Sequence, residues 1–237
     1  MTLPYEMLEG SADDMLLLCD HASNKVPAGI DLEIDPKLLD LHIGVDIGAG
    51  NLTRALAAAL SSPAILATVS RLAIDLHREP DHPGLIPVES DGHPIAGNVR
   101  PNRDARIAAF YAPYHRFIAR QVRAQAPKLI LSLHSFTPRL ERNGTDRPWE
   151  VGILYNRDAR AAAQAIAWLR EEGVVTGDNE PYSGRVLNAT LNRHAEARGI
   201  PSIAIEVRND LIGNENGVVR WAGILSRLAK SLRNSLA

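Results

Sequence analysis

The sequence predicts an α/β fold: a three-layer sandwich whose central sheet is mostly parallel. Short, continuous apolar runs recur along the chain, as expected of strands that are covered on both faces. Helical patterns separate these runs, and such alternation is typical of a parallel sheet with helices on both faces. The length of 237 residues fits one large globular unit, so we expect a single domain over residues 1–237.

The predicted strands are apolar runs of four to six residues, a length that fits a strand and is too short for a helix. In chain order they cover residues 15–19, 64–69, 129–133, 151–155 and 202–205. The predicted helices cover residues 49–60, 103–125, 157–172, 187–198 and 218–236. The second of these is the clearest, because Ile107, Phe110, Tyr114 and Phe117 recur at intervals of three and four.

Composition excludes several classes of protein. With 26 basic and 28 acidic residues the net charge is −2, which gives no electrostatic reason to expect binding to nucleic acid or to an anionic membrane. A single cysteine cannot form an internal disulfide, which favours a reducing compartment. No apolar stretch approaches the roughly 20 residues that span a bilayer, and the acidic N-terminus does not resemble a signal peptide. We therefore expect a soluble, cytoplasmic protein.

Polar residues follow three of the predicted strands. His21, His134 and Glu206 each come directly after such a strand or one residue beyond it. Because ligands of open α/β sheets bind at the carboxyl ends of the strands, these three side chains can meet there and bind a metal or move a proton. The alternative is that each is a capping residue or a polar residue at the edge of the core.

A second polar group lies in residues 70–78. Arg71, Asp75 and His77 share one face if this segment is extended, and Arg78 follows directly. A carboxylate between two arginines can hold a guanidinium in place for bidentate recognition of a substrate carboxylate. The alternative is a strand edge that carries solvated charges.

Glu206 is the candidate general base. Its position after an apolar strand predicts partial burial, which raises a carboxyl pKa toward the range that is useful for accepting a proton. The alternative is an ordinary glutamate that pairs with Arg208. Asp46 is a weaker candidate at this point: it lies four residues after His42, a spacing at which both could face a metal.

Five motifs, in this order, resemble the N-formylglutamate amidohydrolase family. They are Leu-Cys-Asp-His-Ala-Ser-Asn at 18–24, Val-Asp-Ile-Gly-Ala at 45–49, the segment 70–78, Leu-His-Ser-Phe-Thr-Pro at 133–138 and Glu-Val-Arg-Asn-Asp at 206–210. The ordered set covers nearly the whole chain. That family looks related to zinc carboxypeptidases and aspartoacylases, so the resemblance implies a phosphorylase/hydrolase-like fold.

The resemblance also implies a zinc site with His21 and His134 as ligands. Carboxypeptidase-like enzymes take a further ligand from the glutamate of H-x-x-E, but here that position is Asn24. A neutral amide is a poor zinc ligand beside a carboxylate. Asp46 is therefore our candidate for the third ligand, and Asn24 acting through a water molecule is the alternative.

The reaction implied by the resemblance is hydrolysis of N-formyl-L-glutamate to formate and glutamate, the end of a histidine-degradation route. Glu206 would take a proton from water and pass it to the leaving amine, and Arg71 would polarise the amide carbonyl. The substrate is then a small molecule with a carboxylate. The implied substrate-binding residues are Arg78, His77, Asp75 and Arg208.

Two other functions stay open at this stage. One is a zinc amidase or carboxypeptidase that acts on another N-acyl amino acid or on a peptide. The other is a binding protein that keeps the fold without the metal, which the asparagine at position 24 motivates. The sequence does not address the oligomeric state.

Overall fold

The described residues form a seven-stranded mixed sheet. The computed structural model describes residues 3–12, 14–142 and 144–236. The strands in chain order are β1 (Tyr5–Leu8), β2 (Met15–Cys19), β3 (Ala64–Ala67), β4 (Glu89–Ser90), β5 (His93–Pro94), β6 (Leu129–Phe136), β7 (Val151–Leu154), β8 (Thr176–Asp178) and β9 (Ser202–Arg208). Strands β4 and β5 form a separate hairpin, and the others lie in the order β1-β3-β2-β6-β9-β7-β8.

The centre of the sheet is parallel, and its two sides are not. Strands β3, β2, β6 and β9 run in the same direction. On one side β1 pairs antiparallel with β3, and on the other β7 pairs antiparallel with β9, while β8 runs parallel to β7. The prediction of a mostly parallel sheet is confirmed.

Helices cover both faces of the sheet. In chain order they are α1 (Ala49–Leu60), α2 (Arg103–Arg106), α3 (Ala112–Gln125), α4 (Arg160–Glu171), α5 (Ala189–His194) and α6 (Glu215–Ser235). Met15 and Leu17 of β2 face α1, α4 and α6, whereas Leu16 and Leu18 face α3 and α5. Successive side chains of a strand point to opposite faces, so a continuous apolar strand contributes to both core layers. The predicted three-layer sandwich is confirmed.

Two strands of the seven-stranded sheet escaped prediction for a common reason. β1 is only half-buried along its length, and β8 is three residues long and contains Gly177 and Asp178. Neither gives the continuous apolar run that marks a doubly covered strand, because both lie at the edges of the sheet. The single domain over residues 1–237 stays a prediction.

Two predicted strands are longer than expected, and this changes the position of the polar residues. β6 continues to Phe136 and β9 to Arg208, so His134 and Glu206 lie within strands and are not the residues that follow them. The two residues are direct partners in the parallel register. Their backbones keep the sheet hydrogen bonds, while both side chains point to the same face.

The predicted helix over residues 103–125 is interrupted by a π-helical turn at Ile107–Tyr111. Pro113 follows at the start of α3, and a proline cannot donate the hydrogen bond that a regular helix needs there. The predicted helix over 187–198 is likewise shorter, and it ends at His194 before a separate 3₁₀ turn at Glu196–Arg198. Among the described helices, none combines the length and apolar character that crossing a membrane would require.

Candidate active site

Polar side chains from three parallel strands converge where those strands end. Asp20 and His21 follow β2, His134 lies near the end of β6, and Glu206 lies near the end of β9. All four are buried. His21, His134 and Glu206 adjoin a cavity of about 110 Å³. The cavity is lined by His21, His42, Asp46, Arg71, His77, Arg78, His134, Ser135, Phe136, Thr137, Leu154, Tyr182, Leu187 and Glu206.

Asp46 lies between the two predicted metal-binding histidines. Its Oδ2 atom is 3.3 Å from His21 Nδ1 and 3.0 Å from His134 Nδ1. The backbone N–H of Asp46 donates to the His21 carbonyl at 3.1 Å, which fixes the loop against the end of β2. One nitrogen or oxygen atom from each of the three side chains lies within 4.8 Å of the others. This group of residues could hold a metal ion.

The chemistry of this group fits zinc. Two imidazole nitrogens and one carboxylate oxygen are ligands that zinc commonly uses, and three protein ligands leave a position for water or substrate. The outer nitrogens are also held: His21 Nε2 donates to Asp75 Oδ1 at 2.8 Å, and His134 Nε2 lies 3.0 Å from the Ser132 hydroxyl. Such outer contacts orient the ligating histidines of metal sites.

The charges around this group shift one another's pKa values. Although burial opposes it, His21 and His134 hold the pKa of Asp46 well below its usual range. Burial and the nearby Arg71 disfavour a proton on His21, but the charges of Asp75 and Asp46 outweigh them and raise its pKa to about 9. Burial lowers the pKa of His134. A metal and protons would therefore compete for the same nitrogens.

The segment 70–78 is not extended, in contrast to the conditional prediction. Ser70 organises it into turns: its hydroxyl donates to the Gly44 carbonyl at 2.8 Å, and its own carbonyl accepts from Ala73 at 2.9 Å. Arg71 and Asp75 nevertheless meet, because they are one turn apart. Arg71 Nη2 donates to Asp75 at 2.9 Å, and Nη1 donates to Asp46 at 3.1 Å.

Asp20, and its contacts with His77 and Tyr114, were missed by sequence reasoning, although His77 itself was named. Its Oδ2 accepts a hydrogen bond from His77 Nδ1 at 2.9 Å, and its Oδ1 accepts from the Tyr114 hydroxyl at 2.7 Å. His77 Nδ1 also lies 3.1 Å from Thr190 Oγ1. Asp20 directly precedes His21, and that adjacency was the one signal available in the sequence.

Glu206 is buried with one oxygen unsatisfied. Its Oε2 has no hydrogen-bond partner among the described residues. Burial and the charge of Asp46 raise the pKa of Glu206 to about 8, against the opposing charge of Arg71. An unsatisfied buried carboxyl is costly, and beside a cavity it is the arrangement expected of a group that acts on a bound molecule.

The remaining predicted residues divide into two kinds. Arg78 lines the cavity, with its Nε 3.6 Å from Asp75 Oδ2. Arg208 does not line it, and its guanidinium instead pairs with Asp210 at 2.8 Å. Asn24 also lies outside this cavity, where its amide donates to Asp40 at 2.6 Å.

The comparison with protein families decides the identification. The model of the N-formylglutamate amidohydrolase family matches residues 13–213. The chain belongs to this family. It is therefore a hydrolase that acts on an amide, and its substrate is a small molecule. No curated protein matches the sequence.

Solved structures agree with the fold of this N-formylglutamate amidohydrolase family member. A gene product of Agrobacterium tumefaciens is 30% identical with a TM-score of 0.92, covering 99% of this chain and 96% of that one. N-formylglutamate amidohydrolase from Ralstonia eutropha JMP134 is 19% identical with a TM-score of 0.78, covering 99% of each chain. A bacteriophage poly-γ-glutamate hydrolase is 9% identical with a TM-score of 0.51, covering 98% of this chain and 90% of that one. The last two likenesses show the fold alone.

Proposed function

We propose that this chain hydrolyses the amide of an N-formyl amino acid such as N-formyl-L-glutamate, releasing formate and the free amino acid. The observation that carries the proposal is Glu206, whose buried, unpartnered carboxyl oxygen belongs to the same cavity as His21, Asp46 and His134. A base beside a candidate metal centre is the arrangement that amide hydrolysis by water requires. The size of the cavity favours a small substrate over a peptide.

In this proposal, His21, Asp46 and His134 hold one zinc ion. When bound, zinc acts as a Lewis acid and lowers the pKa of water from about 15.7 to about 7. Asn24 takes no part, because its amide is engaged with Asp40. Asp75 fixes the orientation of His21 through the hydrogen bond to Nε2.

Glu206 moves the proton. As the oxygen of water attacks the formyl carbon, Glu206 accepts the proton that this oxygen loses. It then gives this proton to the nitrogen as the C–N bond breaks, so that a neutral amine leaves. A pKa of about 8 suits a group that must accept and return a proton near neutral pH.

Arg71 stabilises charge on the carbonyl oxygen. Its bonds to Asp46 and Asp75 use two of its five N–H groups and hold the guanidinium rigidly at the cavity. The remaining donors can meet the oxygen of the formyl group as negative charge develops there. A well-placed donor of this kind is commonly worth about 3–4 kcal/mol.

Arg78 and His77 bind the substrate in different ways. Arg78 presents a guanidinium that suits the α-carboxylate of an amino acid. Because His77 already donates Nδ1–H to Asp20, the Nε2 of a neutral His77 can only accept a hydrogen bond. We propose that it accepts one from the substrate amide N–H. Arg208 has no role at the site in this account, since Asp210 engages it.

The experiment that tests this proposal is Glu206→Gln. Formate release from N-formyl-L-glutamate should fall by about 10²–10⁴-fold, the usual contribution of a general base, while zinc content stays unchanged. The wild-type kcat/KM should rise with pH as Glu206 loses its proton, because burial favours the protonated carboxyl. Glu172→Gln is the matched control, because this exposed glutamate pairs with Arg227 away from the cavity. Turnover near the wild-type value in Glu206→Gln would overturn the proposal.

A further inference from the structure

The proposed reaction leaves one proton of the attacking water without an acceptor. Glu206 accepts one of the two protons and returns it to the leaving amine, so the acyl product is at first formic acid. A carboxylic acid of this kind is ionised near neutral pH, and its remaining proton must therefore be removed. Among the described residues that line the cavity, His42 is a base that the proposed reaction does not use.

His42 is held at the cavity by Asp91. Its Nε2 atom lies 3.0 Å from Asp91 Oδ2. The same carboxylate accepts hydrogen bonds from the backbone N–H groups of Glu141 at 2.9 Å and Arg142 at 3.1 Å. Asp91 and Gly92 form the turn of the β4–β5 hairpin with φ values of +45° and +87°, which an Asp-Gly pair adopts readily. One carboxylate therefore joins the hairpin, the neighbouring loop and His42.

These contacts determine which nitrogen of His42 is free. Burial would raise the pKa of Asp91, but the backbone hydrogen bonds from Glu141 and Arg142 outweigh it and lower the pKa. The ionised carboxylate can only accept, so His42 Nε2 carries the proton that it donates. In the neutral ring, Nδ1 then has a lone pair and no hydrogen-bond partner among the described residues. His42 also lies outside the groups of described residues that could hold a metal.

A free acceptor at this cavity fits the attacking water better than the substrate. N-formyl-L-glutamate has carboxylate and carbonyl oxygens, which only accept hydrogen bonds, and one amide N–H, which His77 is proposed to bind. The attacking water is the remaining donor, and one of its two protons goes to Glu206. The cavity has a volume of about 110 Å³, so one small molecule in it would contact most of the groups that line it.

We propose that His42 is a further catalytic residue, which binds the attacking water through Nδ1 and takes its second proton while Asp91 holds the ring. This inference rests on the proposed function and deepens it. As the C–N bond breaks, the O–H bond of the intermediate breaks as well. Its electron pair stays on oxygen to form formate, and the proton moves to Nδ1. The His42 side chain is 18% exposed, so it can return this proton to solvent. Water and the amide thus become formate, an amine and one proton.

The test is His42→Gln, which separates proton transfer from the role of His42 in the fold. The amide nitrogen of glutamine reaches the ε position and can keep the bond to Asp91, but nothing replaces the lone pair of Nδ1. With N-formyl-L-glutamate, kcat should fall by about 10²-fold, at the lower end of what an acid–base group contributes. KM, zinc content and melting temperature should stay unchanged, because the lost contact is with water and not with the substrate.

A matched control and a spectroscopic measurement complete the test. His93→Gln makes the same change in the β4–β5 hairpin, where His93 pairs with Glu141 at 2.9 Å and does not line the cavity, and it should keep the wild-type kcat. The ¹⁵N NMR shifts of the neutral ring should place the proton of His42 on Nε2.

Three results would overturn the inference and leave the proposed function intact. They are a kcat near the wild-type value in His42→Gln, an equal loss in His93→Gln, or a neutral His42 with its proton on Nδ1. If the wild type released no formate from N-formyl-L-glutamate, the proposed function itself would fail, and this inference with it.

Discussion

Two groups of buried histidines differ in what surrounds them. The site histidines, His21, His77 and His134, each lie within hydrogen-bond distance of a carboxylate. The paired histidines, His115 and His194, bond to each other at 2.9 Å. His115 Nε2 donates to the Leu76 carbonyl at 3.0 Å, so its Nδ1 accepts the hydrogen bond from His194.

The effect of these surroundings on pKa is clearest at His21. At His134 burial still lowers the pKa, although Asp46 opposes it. Against burial and Arg71, nearby carboxylates raise the pKa of His21 to about 9. Burial lowers the pKa of His115 to about 4 and that of His194 to about 3. Burial of a histidine therefore does not mark a site. The carboxylates beside it do, and within the described residues the groups that could hold a metal contain only site histidines.

The largest expected effect separates the two groups directly. His134→Ala should abolish both zinc binding and formate release, because it removes a nitrogen next to Asp46. His194→Ala should lower stability while keeping zinc, because that ring bonds to His115 and no carboxylate of the described residues binds it. Elemental analysis of zinc-loaded, folded protein measures the difference. Retention of full zinc by His134→Ala would show that His134 is not a zinc ligand and would remove the difference between the two groups of histidines.

The next prediction concerns the carboxylate. Asp46→Asn should weaken zinc affinity more than the roughly 10–100-fold that removal of an outer partner costs, since an anionic ligand is lost. Asn24→Ala should leave the affinity nearly unchanged, because Asn24 bonds to Asp40. Competition with a fluorescent chelator gives both affinities. The reverse order would assign the ligand role to Asn24.

A smaller effect on zinc affinity is expected from Asp75, which contacts the proposed ligand His21. Asp75→Asn keeps the shape of the side chain but loses the charge that faces His21 Nε2, Arg71 and Arg78. Zinc affinity should fall by about 10–100-fold, as for other outer-shell partners. Asp158→Asn is the control, because this carboxylate bonds to the side chain and backbone N–H of Arg160 and does not line the cavity. Equal affinities in the two variants would show that Asp75 does not support the site.

The smallest expected effect is on the pH dependence of stability, and it comes from the paired histidines. Their pKa values are lower in the folded protein than the unperturbed 6.5, so the unfolded chain binds more protons between about pH 6.5 and 4. The free energy of unfolding therefore has its full contribution from these two histidines above about pH 6.5. As the pH falls below that value, the contribution is lost at up to about 1.4 kcal/mol per pH unit for each histidine. Urea unfolding of His194→Gln should show a shallower pH dependence than the wild type. If stability depended on pH equally in His194→Gln and in the wild type, the lowered pKa values of the paired histidines would be contradicted.

The sequence predicted the site residues whose positions follow from the topology of the sheet. His21, His134 and Glu206 could be grouped because parallel strands end at one edge, even though two of these residues lie inside longer strands. Asp46 was named because Asn24 stands where an acid was expected and because Asp46 follows the first strand and loop near the same edge of the sheet. In the structure Asp46 lies between the two histidines.

Contacts between irregular segments could not be predicted in this way. Asp20 meets His77 across 57 positions, and no periodic pattern connects them. The alternation in residues 70–78 was misleading, because the Ser70 hydrogen bonds favour turns there. Tyr182 lines the cavity from a segment without regular structure, where spacing carries no information about which side chains meet.

The most direct test of the account is a zinc titration of the chelator-treated protein, with formate release from N-formyl-L-glutamate as the readout. We expect that chelation abolishes activity and that about one zinc ion per chain restores it. The two groups of residues that could hold a metal share His134, and the proposed site of His21, Asp46 and His134 binds one ion. Full activity in protein that elemental analysis shows to be free of metal would contradict the account.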